Sequence, residues 1–259
     1  MKGVLGNACL LAVVCLAAAA PSDPRFPKTF KEWTPESLIN PDELGEYLEG
    51  DILLPLTRNG IIGEVFRWPG GEVAYIFDDY TEENKKKVRK GMDRIEYLTE
   101  HCITFHERMD EYYIKITNNN SDSCSSAVGM QYPGQPLNYN DACLNETGVV
   151  MHELLHALGF YHEQSRYDRD DYVTIMWENI DKDMANNFKK YSRKNITTFG
   201  EPYDYGSLMH YCSYAFTKNG QMTIVPKDPH ATIGQHKDLS QTDLKKLLKM
   251  YTCIPYTVQ

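Results

Sequence analysis

The stretch VVMHELLHALGFYHE, residues 149–163, constrains this chain more than any other. His152 and His156 stand four apart, with Glu153 beside the first. On a helix that spacing stacks both imidazoles on one face, within reach of a single ion. Gly159 can take φ > 0 and stop the helix, so that the chain turns back and brings His162 to the same ion. Three protein ligands and one open position describe a catalytic zinc rather than a structural one. Glu153 is placed to take a proton from a water activated there. A core helix with two satisfied histidines would also carry H-E-x-x-H. The full H-E-x-x-H-x-x-G-x-x-H spacing argues against that alternative.

The longer stretch HELLHALGFYHEQSRYDRDDYV, residues 152–173, resembles the zinc signature of the astacin family of metzincin endopeptidases. Downstream, YDYGSLMHY at 203–211 resembles that family's Met-turn, S-x-M-H-Y. The resemblance implies an α+β, zincin-like fold with two subdomains flanking an active-site cleft. One is a twisted mixed sheet carrying the zinc helix; the other is more irregular and ends in the last helix. It also implies one zinc per chain on His152, His156 and His162, with Glu153 as the base. Tyr211 becomes an extra ligand in the resting enzyme that swings away to hydrogen-bond the transition state, a pair of tasks open to a phenol. Met209 becomes a hydrophobic floor under the metal, and His210 is expected not to bind it. Without SLMHY around it, Tyr211 would read as a core aromatic, one of 18 tyrosines.

Residues 1–20 carry Lys2, a short apolar run at 8–14 with Leu16, and the small residues Ala18, Ala19 and Ala20. This predicts a cleaved signal peptide, too short in its apolar part to span a bilayer, and hence a secreted protein that is not membrane-bound. Of seven cysteines, Cys9 and Cys15 leave with the leader. Five remain in an oxidising compartment, giving two bridges and one thiol, with the connectivity open from spacing. The resemblance implies Cys102–Cys253 and Cys124–Cys143. Cys212 is then read as a buried free thiol.

Residues 21–58 hold eight acids against four bases and show no strand pattern. Within them, Leu48-Glu49-Gly50-Asp51-Ile52 resembles the inhibitory F-x-G-D motif of astacin pro-segments, with Leu48 in place of the aromatic. The resemblance puts Asp51 on the zinc in the zymogen only; a bare Gly-Asp would otherwise read as a turn. Arg58 is the only base between that motif and the domain, so a trypsin-like activating protease is expected to cut after it. Asn59 and the residues after it resemble the mature amino terminus, whose ammonium the resemblance pairs with Glu163.

Residues 59–259 suit one catalytic domain. Strands are predicted at 72–77, 103–105 and 113–117, and residues 125–139 as the edge strand above the cleft. Thr81 is predicted to cap a helix ending near Thr99, Thr147 to cap the zinc helix, and Ser240 with Asp243 to form a capping box before Leu244, Leu247, Leu248 and Tyr251. Met184, Phe188 and Tyr191 are assigned to a further helix face, and Asn219-Gly220 to a hairpin turn. With no repeats and six residues after Cys253, no additional module is expected. The net charge of −9 gives nucleic-acid binding no support. Asn119, Asn145 and Asn195 open glycosylation sequons. The expected partners are protein or peptide substrates, bound by a monomer; the resemblance implies a preference for an acidic residue just after the scissile bond, with Lys218, His236 and Lys237 as cationic candidates to meet it.

Overall fold

The computed structural model describes residues 23–53, 64–118 and 124–253. Six strands form one mixed sheet in the order β1-β5-β6-β4-β2-β3: β1 Ile52–Leu53, β2 Glu72–Asp78, β3 Thr104–Glu107, β4 Ile114–Thr117, β5 Ser125–Ala127 and β6 Gln135–Asn138. A second, two-stranded sheet pairs β7, Val173–Ile175, with β8, Ile224–Pro226. Helix α1, Glu82–Leu98, begins where the Thr81 side chain accepts from the Asn84 N–H, and it buries Val88, Met92 and Ile95 at helical spacing. Gly91 lets it lie close on the next long helix, since a Cβ there would stand 2.6 Å from Val150 Cγ1.

That partner is α3, Thr147–Ala157, which follows the short α2, Asp141–Asn145. Every residue of α3 after Thr147 is buried, as expected of a helix apolar on nearly all sides. The last helix, α4, is Gln241–Met250, with the capping box between Ser240 and Asp243 formed. Two hydrophobic clusters divide the interior. The first joins the large sheet, α1, α3, Leu208, Met209 and Leu247 of α4. The second gathers Val173, Ile180, Phe188, Tyr203, Tyr211 and Ile224. Met209 belongs to one and Tyr211 to the other, so residues 207–211 bridge the two halves. Disulfides join Cys102 to Cys253 and Cys124 to Cys143, and Cys212 is a buried free thiol.

Several local expectations change. Residues 125–139 form two antiparallel strands, β5 and β6, rather than one, because a loop containing Gly129 and Gly134, both at φ > 0, breaks the run. The edge is not β5 either: residues 52–53, read as strandless, add β1 parallel to it. Thr147 is the first helical residue of α3 and Glu146 the N-cap, without a side-chain cap bond. The residues around 184 form a 3-10 helix, Lys182–Phe188, that ends before Tyr191. Asn219-Gly220 makes a tight turn closed by local side-chain bonds; β8 pairs with β7, so no hairpin forms across it.

A candidate metal and catalytic site

Helix α3 delivers His152 and His156 one turn apart, as their spacing requires. Leu158 caps its end, Gly159 takes φ 114°, and the chain reverses to place His162 against both. The ring orientations are set from outside. His152 Nδ1 donates to the Leu208 carbonyl at 3.0 Å, and His156 Nδ1 to the Phe160 carbonyl at 2.7 Å. Carbonyls only accept, so these Nδ1 atoms carry the protons and the Nε2 lone pairs face inward.

Asp51 completes the group. Its Oδ2 lies 3.0, 3.4 and 3.2 Å from Nε2 of His152, His156 and His162, and the Nε2 atoms of His152 and His162 are 3.2 Å apart. Ligands about 2.0–2.1 Å from a tetrahedral zinc stand about 3.3 Å from one another. The four separations therefore fit one such ion, and the fit is chemical as well: inward nitrogens and a carboxylate oxygen so close together need a cation, a metal ion or a proton, between them. Electrostatics agree. Burial opposes charge on Asp51, but His162 and His156 outweigh it and hold the carboxyl well below its usual range. Burial likewise opposes charge on His162, yet Asp51 and Glu49 push its imidazolium up to about 10. His156 goes the other way: burial lowers its pKa, against the pull of Asp51.

Glu153, on the same turn as His152, is fully buried, and neither carboxylate oxygen has a hydrogen-bond partner among the described residues. Burial, with Asp51 and Asp42 beside it, raises its pKa well above the ordinary value. A buried acid without partners can hold or move a proton. Tyr211 is also buried, its ring 4.6 Å from that of His162. Its hydroxyl donates to the main-chain carbonyl of Glu49 and so points at residues 48–52 in this state. His210 is turned away: Nδ1 donates to the Tyr211 carbonyl, Nε2 meets the Tyr203 hydroxyl, and burial lowers its pKa to about 4. Met209 is buried beneath, its carbonyl accepting from the Glu163 N–H.

Some roles were invisible in the sequence. Asp243 caps α4 and also accepts from the Ser207 hydroxyl at 2.6 Å and the Leu208 N–H at 2.8 Å. Leu208 in turn holds His152, so α4 supports the first histidine at one remove. Glu163 is buried and already paired: Lys246 Nζ lies 2.7 Å from one oxygen, while Arg166 Nη1 at 2.9 Å and the Asp204 N–H at 3.0 Å reach the other. Lys246 follows buried Asp243 by three residues and so shares its face; that spacing was the available signal. Asn59 lies outside the described residues, as do Arg58, Asn119 and residues 1–20. Asn145 and Asn195 are exposed. Of the three cationic candidates, Lys218 and Lys237 are exposed, while His236 faces Asp42 at 3.4 Å.

The family model described as Astacin (Peptidase family M12A) matches residues 61–252. Zinc metalloproteinase nas-14 of Caenorhabditis elegans is 43% identical over 194 residues, which is 73% of this chain and 38% of that protein. Low choriolytic enzyme of Oryzias latipes is 38% identical over 227 residues, 83% of this chain and 81% of that one. Among solved structures, High choriolytic enzyme 1, a hatching enzyme zinc-protease from the medaka Oryzias latipes, superposes with a TM-score of 0.69 at 32% identity. It covers 76% of this chain and 100% of its own. The chain spans less than half the length of the first curated relatives it matches.

Proposed function

Because the chain belongs to the astacin family of peptidases, we propose that it is a secreted zinc-dependent endopeptidase, made as a zymogen that Asp51 holds silent until cleavage after Arg58. The observation that carries this reading is the buried group of three histidines and Asp51, with candidate ligand atoms all within 4.8 Å of one another, and the Glu153 carboxylate beside it, unpartnered among the described residues. Four protein ligands alone would equally suit a structural site. The fourth, however, comes from outside residues 61–252, the part that matches the family, and a structural site has no use for Glu153.

His152, His156 and His162 would hold the zinc, which supplies Lewis acidity toward the scissile carbonyl and toward a water. Glu153 takes the proton of that attacking water and hands it to the leaving amine. Tyr211, once its hydroxyl is freed from the Glu49 carbonyl, donates to the oxyanion that develops on the substrate. Departure of residues 21–58 vacates both the Asp51 position and the edge of β5, along which an extended substrate can pair. The new ammonium of Asn59 is proposed to approach Glu163, where a cavity of about 110 Å³ offers room beside the carboxylate. Substrates are proteins or peptides, the activating enzyme is trypsin-like, and the enzyme acts as a monomer, with Asn119, Asn145 and Asn195 open to glycosylation. Secretion rests on the leader; no helix among the described residues is long and apolar enough to cross a membrane.

Glu153→Gln tests the reading. The ligand set is untouched while the base is lost, so activated protein should keep its zinc and fold but lose most of its turnover. Zinc content and peptide hydrolysis are measured on the same sample. Substantial turnover by the zinc-loaded variant would overturn Glu153 as the base.

A further inference from the structure

Each histidine of the site has one ring nitrogen facing the centre and one facing out, and the outward partners differ in origin. His152 and His156 use main-chain carbonyls of the domain itself, those of Leu208 and Phe160. His162 does not. Its Nδ1 donates to Glu49 Oε2 at 2.7 Å, across 113 residues of sequence, and Glu49 lies in the segment that the activation proposed above would remove.

The placement of Glu49 is tightly determined. It is 2% exposed and its φ of 52° lies in the left-handed region, which glutamate seldom adopts. Its N–H donates to Asn187 Oδ1 at 3.0 Å, and its carbonyl accepts from the Tyr211 hydroxyl. Gly50 follows at φ 88°, and the tight turn closes with the Ile52 N–H donating to the Leu48 carbonyl at 2.9 Å. The unusual backbone thus sends two carboxylates, two residues apart, into one site: Asp51 to the inward face of the histidines, Glu49 to the outward face of the third. Strain that the surroundings enforce at such a place points to a role. Plugging the site needs Asp51 alone, so blocking does not account for Glu49.

We propose that Glu49 is a positioning residue for the third metal ligand, lent by the pro-segment, so that the zymogen retains its metal more firmly than the domain released from it. This rests on the reading above, which takes the three histidines as ligands. A carboxylate that accepts from the outward N–H of a ligating imidazole fixes its tautomer and orientation and raises its basicity; loss of such a partner costs about 10–100-fold in metal affinity. The zymogen is accordingly the form in which the site is loaded, and cleavage both opens the site and loosens its third ligand.

The test uses the full-length zymogen in a Glu153→Gln background, which prevents self-cleavage. Zinc affinity is measured by competition with a chromophoric chelator for the parent, Glu49→Gln, Glu49→Ala, Glu43→Gln and His162→Ala. Expected is a loss of about 10-fold for Glu49→Gln, whose amide oxygen still accepts but carries no charge, and toward 100-fold for Glu49→Ala. Glu43→Gln, which disturbs a contact of the same segment with Cys212, should stay at the parent value. The Nδ1 proton of His162, observed by NMR, should shift upfield in both Glu49 variants and not in Glu43→Gln; a merely structural loosening would not sort them so. Zinc affinity in Glu49→Ala equal to the parent's overturns the proposal, and so does an equal loss in Glu43→Gln. If His162→Ala binds zinc as tightly as the parent, the ligand assignment itself fails, which is a different result.

Discussion

Tyr211 and Asp243 show how little of a side chain's work its neighbours in sequence reveal. The Tyr211 hydroxyl reaches a carbonyl 162 residues away, and Asp243 reaches Ser207 and Leu208 across more than thirty. In the activated enzyme, Tyr211→Phe removes an O–H donor without opening the packing of its ring against Phe188 and Phe216. Its kcat should fall by about 10²–10³ with a smaller change in KM, the signature of an oxyanion donor. Steady-state kinetics on a peptide substrate decide the matter; an unchanged kcat with a raised KM would assign the phenol to ground-state binding.

At the scale of elements, residues 40–53 behave as a part of the fold rather than as a loose plug. They extend the sheet through β1, and the Ser126 N–H donates to the Asp51 carbonyl at 2.9 Å. Glu43 accepts from both the N–H and the thiol of Cys212. These contacts do not involve the Asp51 carboxylate, so Asp51→Ala should free the site while leaving the segment docked. With Arg58→Ser added to block activation, the uncleaved protein should hydrolyse a short quenched peptide measurably, yet well below the cleaved enzyme. Silence equal to that of the Arg58→Ser parent would count against Asp51 as the block. Two residues of strand with no periodic pattern were beyond sequence reading: β1 exists because β5 offers an edge, not because Ile52 and Leu53 demand one.

For the whole molecule, the Glu163 cluster ties α4 to the turn that carries His162. Burial raises the Glu163 pKa, against the opposing pull of Lys246 and Arg166. Its carboxylate already has these two cations, so the ammonium proposed for Asn59 would be an addition and not the sole partner. Lys246→Met in the zymogen should therefore destabilise it by about 3 kcal/mol, at the low end for a broken buried pair because Arg166 remains. Adding Glu163→Gln should cost less than the sum of the two, since the groups meet. Two extra residues before Asn59 in the activated form should cost less than Lys246→Met does. Urea unfolding of each form measures this, and additive losses for Glu163 and Lys246 would contradict the pairing.

The sequence by itself determined the elements whose causes are local. His152, Glu153, His156, Gly159 and His162 lie within eleven residues, and the pitch of one helix with the glycine turn that ends it brings them together. Thr81 and the Ser240–Asp243 box announced helix starts for the same reason, because a cap is made within four residues. That Asp51 meets the three histidines, and which cysteines pair, was legible only through resemblance, which carries over contacts that spacing cannot encode. Glu49 on His162, Lys246 on Glu163 and Asp243 on Leu208 were decided by the tertiary structure. Each joins charged or polar groups separated by 35 to 113 residues, and each is fixed by burial, which forces a charge to find a partner but leaves no periodic trace of which one.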